Sequence, residues 1–121
     1  MPCFQRVDGF LSSQSVSHDA AYAVRLSIEE LVSNIIRHGY DDREPHEIGI
    51  GLEILPRVIV LIIDDDGRPF DPNSAPPVPV PASLDDAPTG GMGLSLVRTI
   101  AGPIEYQRLD SRNRVTLRIA I

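Results

Sequence analysis

The sequence contains no lysine; all eleven of its basic residues are arginine. That absence removes three chemistries together: the lysine of a phosphate-binding P-loop, Schiff-base formation and a lysine general base. Any phosphate held by this chain is therefore held by backbone N–H groups, by arginine or through a metal ion. Cysteine is nearly absent as well. A single Cys3 cannot form an internal disulfide, which agrees with a reducing compartment. Long apolar runs are also missing, and the longest, Val58 to Ile63, is far too short to span a bilayer. No charged-then-apolar stretch opens the sequence, so a cytoplasmic protein without membrane contact is expected. The net charge of −6 argues against a nucleic-acid surface. The five arginines from Arg98 to Arg118 could form a local positive face, or simply a solvated helix and strand surface.

What is present fits one soluble domain over residues 1–121, with 42% apolar and 23% charged residues. Residues 2–14 are weakly helical at most, with Val7, Phe10 and Leu11 at helical spacing and Gly9 interrupting. Ser17 reads as a helix cap. After it, Val24, Ile28, Leu31, Val32, Ile35 and Ile36 form a stripe of period 3.6 that ends at Gly39. Ile48, Ile50, Leu52 and Ile54 alternate with Gly49, Gly51 and Glu53, as in a half-buried strand. Pro56-Arg57 turns the chain into a second strand, Val58 to Ile63. Residues 64–90 hold seven of the eleven prolines, so no regular element can persist there. A helix from Gly93 to Ala101 stops at Gly102-Pro103. Strands from Ile104 to Leu109 and Val115 to Ile121 follow, joined by a polar turn at Asp110 to Asn113. Two antiparallel hairpins with helices on one face predict an α+β two-layer sandwich, a sheet of about four strands under about three helices.

Three short segments carry chemistry. Glu30 and Asn34 lie four residues apart on the long helix, beside the apolar stripe, and so share a face. An Asn carbonyl suits magnesium, which keeps several waters and takes few protein ligands beside substrate phosphates. A carboxylate one turn earlier can orient or deprotonate a nucleophile approaching a γ-phosphate. Asp65 emerges from the apolar strand into a turn where Gly67 permits close backbone approach, and such a carboxylate can accept a hydrogen bond from the exocyclic amine of adenine. Gly90, Gly91 and Gly93 offer a hinge and then the free N–H groups of a helix start, an anion site.

In this order, the segments resemble the GHKL ATPase superfamily (the Bergerat fold), and within it the anti-sigma-factor serine kinases of bacterial partner-switching systems. Glu29-Glu30-Leu31-Val32-Ser33-Asn34-Ile35-Ile36-Arg37-His38-Gly39-Tyr40 is similar to that group's N box. Asp65-Asp66-Gly67-Arg68-Pro69-Phe70-Asp71-Pro72 is similar to its first glycine box, with Pro in place of the second Gly. Gly91-Met92-Gly93-Leu94 is similar to the glycine box that follows the lid. The resemblance spans residues 17–121. It implies Glu30 as catalytic base, Asn34 as magnesium ligand, Asp65 as partner of the adenine amine and Gly67 as the residue that admits the ring. It further implies an ATP lid over residues 71–90, with Gly91, Met92, Gly93 and Leu94 at the phosphates and Thr116 near the adenine. His38 matches a histidine common in the N box and could equally be a plain helix-terminal residue.

The chain also departs from the family pattern. Kinase members often carry an Arg just before the second glycine box, where this chain has Ala87-Pro88-Thr89 and no Arg between Arg68 and Arg98. The usual Gly-Thr before the last strand is replaced by Asn113-Arg114-Val115, and the family's first strand is missing ahead of residue 5. Two functions remain in view. One is an ATP·Mg-dependent serine/threonine kinase that phosphorylates a STAS-domain anti-anti-sigma protein and regulates a sigma factor. The other is a nucleotide-binding module without catalysis that acts on a partner such as a PP2C-type phosphatase. An unpaired sheet edge would also allow a homodimer.

Overall fold

The computed structural model describes residues 2–14, 16–39, 46–74 and 91–121. In chain order these form α1 (Pro2–Ser13), α2 (His18–Gly39), β1 (Ile48–Leu55), β2 (Val58–Asp65), a 3-10 turn (Pro72–Ser74), α3 (Gly91–Ala101), β3 (Ile104–Leu109) and β4 (Arg112–Ala120). The strands make one antiparallel sheet in the order β1-β2-β4-β3, so the two hairpins join through their inner strands, β2 and β4. The helices cover a single face, giving the expected α+β sandwich.

Helix α2 is built as its sequence suggests. The Ser17 hydroxyl accepts the Ala20 N–H at 3.2 Å, and Asp19 in the first turn with Arg37 and His38 in the last complements the helix dipole. Val24, Ile28, Leu31 and Ile35 are buried against the sheet. Ile36 is not; it is 58% exposed, on the far side of the helix from the core. The opposing layer comes from alternate residues of the inner strands: Ile59, Leu61 and Ile63 on β2, and Val115, Leu117 and Ile119 on β4.

Several boundaries differ from the sequence expectation, three of them for reasons visible in the packing or the backbone. Helix α1 runs unbroken through Gly9, because Val7 and Leu11 are buried on the core and offset the roughly 1 kcal/mol of helix propensity that a glycine costs. Strand β2 continues two residues past the apolar run to Asp65, which pairs across the sheet with Asn113. The turn between β3 and β4 needs only Asp110 and Ser111, both at positive φ (46° and 67°), so β4 begins at Arg112 rather than at Val115. This earlier start brings Asn113 into the strand. Of the proline-rich stretch, residues 72–74 form the 3-10 turn; the lid expected at 71–90 lies from residue 75 onward outside the described residues.

Candidate functional site

A cleft opens between the C-terminal half of α2 and the far ends of β2 and β4. It is lined by Leu31, Asn34, Asp65, Phe70, Asn113 and Val115, among others. Asp65 closes its floor at 2% exposure. One carboxylate oxygen, Oδ1, accepts the Gly67 N–H at 2.8 Å and the Asn113 side-chain N–H at 3.0 Å. The other oxygen has no hydrogen-bond partner among the described residues, so a buried acceptor is left for a ligand. Gly67 is itself buried.

Asn34, at 6% exposure, lines the same cleft, and its side-chain amide has no hydrogen-bond partner among the described residues. Leaving a buried amide unpaired costs about 1–3 kcal/mol, and such groups point to a missing ion, water or ligand. The donor set therefore fits a hard cation that takes one protein oxygen and keeps the rest of its shell from phosphate and water. Among the described residues, no cluster of three or more His, Cys, Asp or Glu could hold a metal by itself.

Glu30 sits one turn before Asn34 on α2, half-buried where α2 meets the start of α3. Burial raises its carboxyl above the usual carboxylate range; neighbouring Glu29 acts in the same direction and Arg37 against it. A raised carboxyl is a stronger proton acceptor once ionised, which suits a general base. Helix α3 begins at Gly91, two residues before the expected start, so Gly91, Met92 and Gly93 form its first turn rather than a hinge. The Met92 side chain falls outside the described residues. The Leu94 side chain is 3% exposed in the hydrophobic core, which leaves its backbone N–H as the group it could offer a phosphate.

His38 is not among the residues that line the cleft. Its ring stacks on Phe70, with centroids 4.7 Å apart and planes 13° from parallel, and its carbonyl accepts the Arg68 Nε–H at 2.8 Å. It supports the cleft wall from behind Phe70. Thr116 is on the wrong face altogether. On β4 the residues facing the helices are Asn113, Val115, Leu117 and Ile119, whereas Thr116 lies on the open face opposite Ile62 and Glu105.

The residue that the sequence reading missed is Asn113. At 2% exposure it donates to Asp65 and to the Arg68 carbonyl (2.9 Å), and accepts from the Tyr106 hydroxyl (2.6 Å) and Arg108 (3.1 Å). Arg108 also donates to the Gly67 carbonyl at 2.8 Å. One amide thus ties the glycine turn to both β3 and β4. Four of the five arginines after residue 97 have specific partners of this kind: Arg98 bonds the Pro72 carbonyl, Arg108 the glycine turn, Arg114 pairs with Asp64 and Arg118 with Glu105. Alternation puts Arg112, Arg114 and Arg118 on the open face of β4, where the charges of Arg114 and Arg118 are matched by Asp64 and Glu105. Asn113→Ala should lower the unfolding free energy by about 1–3 kcal/mol in urea denaturation, since it strips donors from Asp65 and the Arg68 carbonyl. Thr116→Ala, on the open face, should cost under about 1 kcal/mol; equal losses would mean that the network does not act as described.

Comparison with known proteins agrees with this geometry. The family model described as "Histidine kinase-like ATPase domain" matches residues 4–119. The serine/threonine-protein kinase BtrW of Bordetella bronchiseptica is 36% identical over 96 residues, covering 79% of this chain and 68% of that protein. The anti-sigma F factor of Clostridium novyi is 29% identical over 104 residues, covering 86% and 73%. Among solved structures, the histidine kinase domain of the Erythrobacter litoralis EL346 blue-light activated histidine kinase superposes with a TM-score of 0.60 at 17% identity. That likeness covers 86% of this chain and 48% of the other, and speaks for the fold alone. A family model that matches nearly the whole length, on a fold that brings Asn34 and Asp65 into one cleft, places the chain in the histidine kinase-like ATPase domain family.

Proposed function

We propose that this chain binds ATP with magnesium and acts as a serine/threonine protein kinase of the anti-sigma type. The observation that carries the reading is the pair of buried polar groups facing one cleft, Asp65 with one oxygen unpartnered and Asn34 with no partner among the described residues. The names of the relatives, a serine/threonine-protein kinase and an anti-sigma F factor, support the same class.

The free oxygen of Asp65 accepts the exocyclic amine of adenine, and the buried glycine turn lets the ring come close. The phosphates extend toward the start of α3, whose first N–H groups are unpaired within the helix and carry its positive end. Asn34 supplies one oxygen to magnesium, which offsets phosphate charge when bound. Glu30 takes the proton from a Ser or Thr hydroxyl as that oxygen bonds to the γ-phosphorus. The bond from the γ-phosphorus to the β–γ bridging oxygen breaks, ADP leaves, and Glu30 returns the proton to solvent. The substrate in this reading is a STAS-domain anti-anti-sigma protein, and the alternate partner is a sigma factor.

Titration calorimetry with ATP, with and without magnesium, tests the first half; radiolabelled transfer to a STAS-domain protein tests the second. Magnesium-dependent micromolar binding followed by label transfer is the expected result, and absence of binding would end the reading. Asn34→Ala should weaken magnesium-dependent ATP binding without lowering the unfolding free energy by more than about 1 kcal/mol, because no side-chain hydrogen bond among the described residues is lost. Undiminished affinity would remove Asn34 from the site. One observation favours a second reading, a nucleotide-bound regulator without catalysis acting on a partner such as a PP2C-type phosphatase: no Arg lies between Arg68 and Arg98 to reach the γ-phosphate. Binding without transfer would select it.

A further inference from the structure

The residue at position 93 is glycine for a reason that neither its backbone conformation nor the core supplies. Among the described glycines only Gly102, at φ 87°, adopts the left-handed conformation that favours this residue. In a helix, glycine is less favourable than alanine. What crowds the position most closely is neither a core side chain nor backbone. A Cβ built on Gly93 would instead overlap Oε2, Cδ and Cγ of Glu30, and its three nearest neighbours all belong to that one side chain.

We propose that Gly93 is the seat of the Glu30 carboxylate, a positioning residue that fixes the catalytic base against the first turn of α3. The base and the helix start come from different elements, α2 and α3, which pack directly on each other. The gap left by the missing Cβ turns that packing into a socket. A Glu side chain that would otherwise sample many rotamers is held at one place, beside the N–H groups toward which the phosphates extend. Without the socket the carboxylate moves, and a misplacement of about 1 Å can cost about 10²-fold in rate. The catalytic consequence rests on the kinase reading above; the geometry does not.

Gly93→Ala tests it, because the atoms nearest the added methyl are the far end of a flexible side chain that can move aside, so the fold should tolerate it. In the parent protein, NMR should show nuclear Overhauser contacts from the Glu30 γ-methylene to the Gly93 α-protons; in Gly93→Ala, the contact to the residue 93 α-proton should weaken and the Glu30 side-chain resonances should shift. Phosphotransfer should fall by about 10²-fold while the ATP dissociation constant changes less than about threefold. Adding Gly93→Ala to Glu30→Gln should cost little more, since the two changes remove the same function. Weakened ATP affinity with an unchanged transfer rate would overturn the proposal and assign the glycine to phosphate approach. So would parent spectra without the Glu30–Gly93 contact. If the parent transfers no phosphate to any STAS-domain protein, the kinase reading fails, and the NMR contacts still decide whether Gly93 seats Glu30.

Discussion

Glu30→Gln is expected to bind ATP as the parent does, to lose ~10²-fold or more of its phosphotransfer, and to become more stable at neutral pH. The first two effects follow from replacing a base with an isosteric group that cannot take a proton. The third follows from burial. Because the folded protein holds the Glu30 carboxyl above the usual carboxylate range, folding favours its protonated form. Its stabilising contribution is therefore complete at pH values below the unfolded pKa and is lost as pH rises through the unfolded and then the folded value. Above that window the native state carries a half-buried charge with desolvation against it. Glutamine does not titrate, so the variant should equal or trail the parent in acid and overtake it at pH 7. Denaturation midpoints for both proteins across pH 4–8 would check this. A variant that is less stable at every pH would show that burial does not dominate around Glu30. A transfer rate equal to the parent's would remove it from catalysis.

The same side chain shows what could and could not be read from the sequence. The i, i+4 spacing put Glu30 and Asn34 on one face of α2 because that relation depends only on helix geometry, which a 22-residue capped helix enforces. That Asn34 would be buried beside Asp65 and Phe70, and Glu30 half-buried against α3, depends on tertiary packing, and no local pattern carries that. The strands were legible for a similar reason, since alternation in β1 and the apolar run of β2 are periodic signals. Asn113 was hidden by its neighbours. It sits in Asp110-Ser111-Arg112-Asn113, a tetrad whose composition reads as a turn, while the chain reverses within two residues at positive φ. A usable signal existed: stepping back by twos from Ile119 through Leu117 and Val115 lands on Asn113 and skips Thr116. A polar residue in phase with a buried apolar face is more informative than a polar residue in a familiar motif. Helix α1 failed in the opposite sense, its glycine outweighed by two core contacts that only the fold provides.

The second large effect is expected from Asp65→Asn, which should raise the ATP dissociation constant by about 10- to 10²-fold without unfolding the protein. The hydrogen bonds already in place determine why. Two donors, the Gly67 N–H and the Asn113 amide, converge on Oδ1. An asparagine at 65 can satisfy both only with its carbonyl oxygen in that position, which forces its NH₂ group into the place of the free carboxylate oxygen. The buried contacts survive, so the fold should persist. The cleft floor, by contrast, changes from acceptor to donor. An exocyclic amine then meets another amine and loses a charge-assisted bond worth about 1.5–3 kcal/mol, which sets the size of the affinity change. A base with a carbonyl at the same position should be favoured in relative terms, so inosine triphosphate should gain on ATP in the variant. Asp65→Ala would be the poorer experiment, because it leaves both donors buried and unpaired and confounds binding with stability. Calorimetric titration of parent and Asp65→Asn with ATP and inosine triphosphate reads both effects. Unchanged ATP affinity in a folded Asp65→Asn protein would mean that the adenine amine does not reach this carboxylate, and the nucleotide would have to enter the cleft in another orientation.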